Sequence, residues 1–292
     1  MPIICTYLHP FFGVMTFGEL NASTFDDFIG WARSRRYAKK EISSSTVNKC
    51  FTLLHMICKS AAVKCGWGTQ YNPFFGFKKL PVDDPYESIL PFSVQDQMKF
   101  VENLPDHWKP YFRFAFAAGL RAGEQLALRP EDIDWEKRLI HIKRAMTLDE
   151  DGKKSIGKTK NKYSRRTIRL IPAMMNALIG QKKIHDNFSS EYFFCSTWGK
   201  QVNLNNLRNR IWLPTLAKAG LQFREMKQTR HTFASIALSC GENPLWIAKV
   251  MGHRNTGMII RVYGKFLERA QGFEDGGLLN QALNGSNVGK ED

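Results

Sequence analysis

Arg230-His231-Thr232-Phe233-Ala234-Ser235, Met251-Gly252-His253 and Val262-Tyr263 lie in order along one stretch, with the tyrosine ten residues after the histidine. An arginine on a helix, a histidine at a turn and a phenol make a sufficient set for attack on a phosphodiester without a metal. The guanidinium binds the phosphate and steadies its charge while the phenol attacks. Covalent chemistry on DNA is therefore the expectation from this stretch.

Working outward, Lys227-Gln228-Thr229 opens the helix that carries Arg230. Residues three apart share a face, so Lys227 and Arg230 are expected to project together while Phe233 and Ile236 anchor the helix in the core. Pro244 to Met251 reads as a short helix that Gly252 stops, with the His253 ring expected to point outward. Upstream, Gly119-Leu120-Arg121-Ala122-Gly123-Glu124 puts an arginine at a helix start, within a helix expected over Ala122 to Leu128. The helix dipole disfavours a cation there, which suggests an anionic ligand, and Glu124 one turn on can orient the guanidinium. Gly152 to Arg169 holds eight Lys or Arg and no acid, the composition of a basic β-hairpin or loop that reaches into a groove.

Composition agrees. With 292 residues, 43% hydrophobic and 12% aromatic, the chain is long and apolar enough to bury one sizeable core or two smaller ones. A net charge of +15 favours a polyanionic partner, because each phosphate neutralised releases condensed counterions. The six cysteines have no Cys-x2-Cys pair, so neither a zinc site nor a disulfide framework is suggested and reduced thiols are expected. Met1 to Met15 lacks a basic n-region and a cleavage site, and no run reaches the ~20 apolar residues of a membrane span. A cytoplasmic protein that does not engage a membrane is expected.

The fold expected is mostly α with a small antiparallel β-sheet. Residues 1–80 read as helical and basic: Ser43 to Ser45 offer caps for a helix with Val47, Phe51, Leu54, Cys58, Ala61 and Cys65 on one face. Between Trp31 and Cys65 stand eight Lys or Arg against one acid, Glu41. A solvated face would account for such charges, but the depletion of acids favours a clamp on a DNA backbone, with Arg33, Arg35, Arg36, Lys39 and Lys40 as its contacts. Residues 81–92 read as a proline-containing linker. Residues 93–270 are mixed, with helices at Val94 to Glu102 and Trp108 to Ala118. Strands are expected at Arg138 to Ile142 and Arg166 to Ile171, with Glu191 to Cys195 as a third candidate. Residues 271–292 read as a flexible tail.

These four motifs, in this order and spacing, resemble the tyrosine recombinase (phage integrase) family, and the match covers most of the chain. The resemblance implies a partial helical core-binding domain followed by an α+β catalytic domain. It makes Arg121, Arg230 and His253 ligands of the scissile phosphate, Tyr263 the nucleophile and a hairpin lysine the acid for the 5′ oxygen. Lys160 fits that role by its distance to the strand at Arg166, with Lys158 as the alternative. Lys158, Lys162 and Arg165 add DNA contacts.

Two departures from the family pattern stand out. Lys227 replaces a frequent histidine three residues before the second arginine, an arrangement also resembling type IB topoisomerases. A phenol titrates near ~10, and Lys227 could accept its proton only if burial or the arginines lower its own pKa. The segment matching the end of an opening helix, Thr6 to Gly13, starts so close to Met1 that an N-terminally truncated prophage integrase is expected, with weakened DNA binding.

The resemblance implies site-specific strand exchange through a 3′-phosphotyrosyl ester, needing neither cofactor nor metal. The partners implied are double-stranded attachment or core sites, a synaptic homotetramer and DNA-bending accessory proteins. The competing expectations are a defective remnant that binds without recombining, a topoisomerase-like relaxase and a non-catalytic regulator.

Overall fold

A computed structural model describes residues 3–35, 41–68, 70–82, 89–148, 154–158 and 164–264. The chain divides into two compact units, Met1–Ser88 and Ile89–Asp292.

In the first unit a turn of π-helix, Ile4–Leu8, runs into α1 (His9–Phe12), burying Leu8 and Phe12. Asn21 caps α2 (Ala22–Ser34) by accepting from the Thr24 amide, and Phe25, Phe28 and Ala32 form its buried stripe. Ser43 caps α3 (Ser44–Lys64) as expected, and the chain turns at Gly66 with φ of 68°. The buried face departs from the expected one at its end. It takes in Cys50 and finishes at Ala62, leaving Cys65 exposed and Ala61 half-buried. The core is largely aromatic: Phe25 stacks on Phe74 at 4.6 Å and Phe51 meets Phe77 at 4.5 Å. Asn48 ties the following segment to α3, its amide donating to the Leu80 carbonyl while its oxygen accepts from the Leu80 amide.

The second unit begins with α4 (Val94–Glu102), capped by Ser93, followed by α5 (Lys109–Ala118). Seven of the ten α5 residues are buried, and it packs on two later helices, α7 and α10. After α6 (Ala122–Gln125) come β1 (Ile133–Asp134), β2 (Leu139–Ile142), β3 (Arg144–Leu148), β4 (Lys154–Lys158) and β5 (Arg166–Arg169). β1, β2 and β5 make an antiparallel sheet in that order; β3 and β4 form a separate hairpin that pairs Arg144 with Lys158. The remaining helices are α7 (Pro172–His185), α8 (Leu204–Leu207), α9 (Leu213–Lys218), α10 (Gln228–Ser239), α11 (Pro244–Met251) and α12 (Gly257–Tyr263).

Two expectations fail. The helix expected to reach Leu128 stops at Gln125: the Leu126 amide still reaches the Ala122 carbonyl, but the Ala127 and Leu128 amides turn to the nearer Glu124 and Gln125 carbonyls, a tightening that ends the α-helical ladder. Glu191 to Cys195 is not a strand. Phe193 and Phe194 are both buried, which a strand with one solvated face cannot achieve with consecutive residues. Their segment is held instead by Phe193 N–H donating to the Leu128 carbonyl and by Gln181 donating to the Phe193 carbonyl. No described helix is long and apolar enough to cross a membrane.

Candidate active site

The site is assembled from the α5–α6 turn, β5, α10, the end of α11 and the end of α12. Gly119 ends α5 in the left-handed region, φ 56°, and a Cβ there would lie 2.3 Å from the Phe233 ring. Glycine is therefore needed twice over, for the turn and for the approach of α10. Arg121 follows at the N-cap of α6. Glu124 accepts from its backbone N–H at 3.1 Å and from its Nη1 at 2.8 Å.

Glu124 is only 2% exposed and holds a second arginine as well. Arg166, at the start of β5, donates from Nη2 to Oε2 at 2.9 Å and from Nη1 to Oε1 at 3.3 Å. Its remaining donors reach the Val250 and Ser164 carbonyls. Burial alone would raise the Glu124 pKa, but the hydrogen bond and charge of Arg166, and then Arg121, outweigh it and hold the carboxyl below its usual range. An ionised carboxylate thus fixes two guanidiniums with one side chain. Gly123 adds a third constraint: a Cβ there would lie 2.8 Å from the Met146 carbonyl, so α6 rests against β3.

Arg230 on α10 donates from Nη1 to the Gly119 carbonyl at 2.7 Å. Its Nη2 is buried with no hydrogen-bond partner among the described residues. Burial, then the charges of Arg121 and Arg166, pull its pKa down to about 9, which leaves it a cation at neutral pH.

Gly252 caps α11 with φ of 67°, and a Cβ there would sit 2.7 Å from Arg166 Nη1. The turn brings the His253 amide back to the Ala248 carbonyl at 2.9 Å. The His253 ring does not point free of the protein as expected. It is half-buried, with Nδ1 enclosed and lacking a partner among the described residues. Burial, with Arg230, Arg121 and Arg166 nearby, lowers its pKa to about 4. The imidazole is therefore neutral at pH 7.

Tyr263 closes α12 and is buried, its hydroxyl 2.6 Å from His231 Nδ1. Burial, then Lys227 and Arg230, lower the His231 pKa to about 4. Lys227 itself is exposed.

The structure thus brings Arg121, Glu124, Arg230, His253 and Tyr263 together. Lys160, Lys162, Arg36, Lys39 and Lys40 lie outside the described residues. Lys158 ends the hairpin opposite Arg144, whose Nη2 is anchored on the buried Asp132 at 2.6 Å. Arg165 and Arg33 are exposed, and Arg35, also exposed, sits over the Trp31 ring at 4.3 Å. Sequence reasoning missed Arg166 and His231. Arg166 alternates with the buried Ile168 and Leu170, and an arginine on the inward face of a strand requires a buried carboxylate. His231 carried no comparable signal, since only the fold brings it to Tyr263.

Solved structures share this arrangement of elements and define the class as a tyrosine recombinase fold. The Tn1549 transposon integrase, in complex with transposon right end DNA, has 17% sequence identity and a TM-score of 0.74, covering 96% of this chain and 90% of that one. The lambda integrase tetramer bound to a Holliday junction has 13% identity and a TM-score of 0.59, covering 88% and 67%. Residues 87–268 match the phage integrase family, and the chain belongs to that family. The prophage integrase IntR of Escherichia coli is 28% identical over 80% of this chain and 60% of its own length. A XerC-like tyrosine recombinase of Caldanaerobacter subterraneus is 29% identical over 78% and 65%. The chain thus spans less than two thirds of the length of these relatives.

Proposed function

We propose that this chain is a site-specific DNA recombinase of prophage-integrase type that cuts and rejoins strands through Tyr263. The observation that carries this reading is the convergence of Arg121, Arg230 and His253 beside the Tyr263 helix, with Arg230 Nη2 and His253 Nδ1 buried and unmated. Buried polar atoms without partners are costly, and a tetrahedral phosphodiester supplies what they lack. Arg121 and Arg230 take the nonbridging oxygens, where charge grows in the transition state, and His253 adds a further contact. A hairpin lysine, Lys160 or Lys158, protonates the departing 5′ oxygen. The 3′-phosphotyrosyl ester keeps the energy of the broken bond, so rejoining to another strand needs no ATP.

Residues 1–80 act as the core-binding clamp, residues 93–270 as the catalytic domain, and strand exchange takes place in a synaptic homotetramer on double-stranded core sites in the cytoplasm. DNA-bending proteins assist. Incubation with nicked duplexes carrying a randomised core should trap an adduct that survives denaturation and is absent from Tyr263→Phe. Joining of two separate duplexes by the wild-type chain distinguishes recombination from relaxation. An adduct that persists in Tyr263→Phe overturns the assignment of the nucleophile.

A further inference from the structure

Resting on the reading of Tyr263 as nucleophile, we propose that His231 is the general base of the reaction. Its Nδ1 takes the phenolic proton as Tyr263 attacks and returns it when the strands are rejoined.

The geometry is direct. His231 Nδ1 and the Tyr263 hydroxyl are 2.6 Å apart, a full hydrogen bond before any substrate is present. The rings do not stack, lying 5.7 Å apart at 49°, so the contact is nitrogen to oxygen. Lys227, the residue that sequence alone suggests as base, is exposed, and a charged ammonium has three donors and no lone pair to accept with. His231 is neutral at pH 7 because burial, Lys227 and Arg230 all oppose its protonation. A neutral ring whose partner is a hydroxyl can accept through Nδ1.

Of the two cations that oppose its protonation, Arg230 is the one a bound phosphodiester offsets. A phosphate seated on Arg230 cancels part of that field, and the extra negative charge of the pentacoordinate transition state adds to the effect. The imidazole thus becomes more basic as the proton must move.

The step balances without an added reactant. The phenolic O–H bond breaks toward His231 Nδ1 as the oxygen–phosphorus bond forms. The bond from phosphorus to the 5′ oxygen breaks with its electron pair on that oxygen, which is protonated by the hairpin acid. In the reverse attack a 5′ hydroxyl gives its proton back to the hairpin group that supplied it as its oxygen bonds to phosphorus, the bond from phosphorus to Tyr263 breaks, and the imidazolium returns its proton to the departing phenolate.

Two measurements test this on the full chain. In 15N NMR of the free protein, His231 Nδ1 should resonate as an unprotonated, hydrogen-bonded nitrogen and move toward a free one in Tyr263→Phe; a protonated Nδ1 at pH 7 overturns the inference. With the randomised nicked duplexes, His231→Ala and His231→Asn should form adduct roughly 100-fold more slowly than wild type at unchanged DNA affinity. Imidazole added to His231→Ala should restore part of the rate, which a merely structural role would not allow. His231→Asn preserves an acceptor near the Nδ1 position, so similar losses in both variants point to the missing base. If both variants cleave within threefold of wild type while Lys227→Met is slow, the base is Lys227. If the wild-type chain forms no adduct at all, the reading of Tyr263 fails and takes this inference with it, whatever the NMR reports.

Discussion

The two units handle positive charge in opposite ways. Among the described residues every ion pair lies in the second unit, where Glu124 and Asp132, 2% and 1% exposed, hold arginines by short contacts. In the first unit Arg33 and Arg35 are exposed, and the core beneath them is built from phenylalanine rings. An exposed cation adapts to a phosphate wherever the backbone runs, and its contribution is sequence-independent and salt-sensitive. A guanidinium fixed by a buried carboxylate cannot adapt; it defines where one phosphate must sit. Binding along a duplex suits the first arrangement, and bond breaking at one phosphorus suits the second.

Perturbing each side should separate them, and the effects fall in order of size. Tyr263→Phe should abolish adduct formation altogether while leaving DNA affinity intact, as gel shift and denaturing electrophoresis would show. Glu124→Gln leaves the buried Arg166 without its counter-charge, so the second unit should lose about 3 kcal/mol or more in denaturant unfolding, with cleavage falling as Arg121 loosens. The same carboxylate sets a pH dependence. Its folded pKa is lowered, so its contribution to stability is present above the ordinary glutamate range and is lost as pH falls through the folded pKa. Acid titration should therefore destabilise wild type more steeply than Glu124→Gln. Gly252→Ala combines a φ of 67° with a Cβ 2.7 Å from Arg166 Nη1, for a cost of about 1–3 kcal/mol and a displaced His253. The smallest effect belongs to Arg35→Ala, where the log-log salt slope of DNA binding should flatten by about one unit with stability changed by less than ~0.5 kcal/mol. A large loss of stability there, or an unchanged salt slope in all first-unit variants, would break the contrast.

Much of this was legible in the chain. Ser43 and Ser93 mark helix starts because their side chains accept from amides three residues on, a local interaction that needs no knowledge of the fold. Arg121 with Glu124 could be read for the same reason, since both belong to one turn. Arg166 and Glu124 are 42 residues apart and His231 and Tyr263 are 32 apart, so their pairing depends on how β5 and α12 return to the site. The hairpin was anticipated within Gly152 to Arg169, but its first strand, β3, begins at Arg144, and β5 belongs to the other sheet. What fixes that start is the Arg144 link to Asp132, again a tertiary contact.

The unmated Arg230 Nη2 and His253 Nδ1 also bear on how the protein must be handled. A cluster of arginines around a buried guanidinium nitrogen with no partner among the described residues attracts any small tetrahedral oxyanion. Sulfate left from salting-out or phosphate from a buffer would occupy it, raising the melting temperature and competing with the scissile group. Preparations kept in chloride and a zwitterionic buffer would melt earlier and cleave faster, so apparent robustness in a stability screen would be a sign of inhibition.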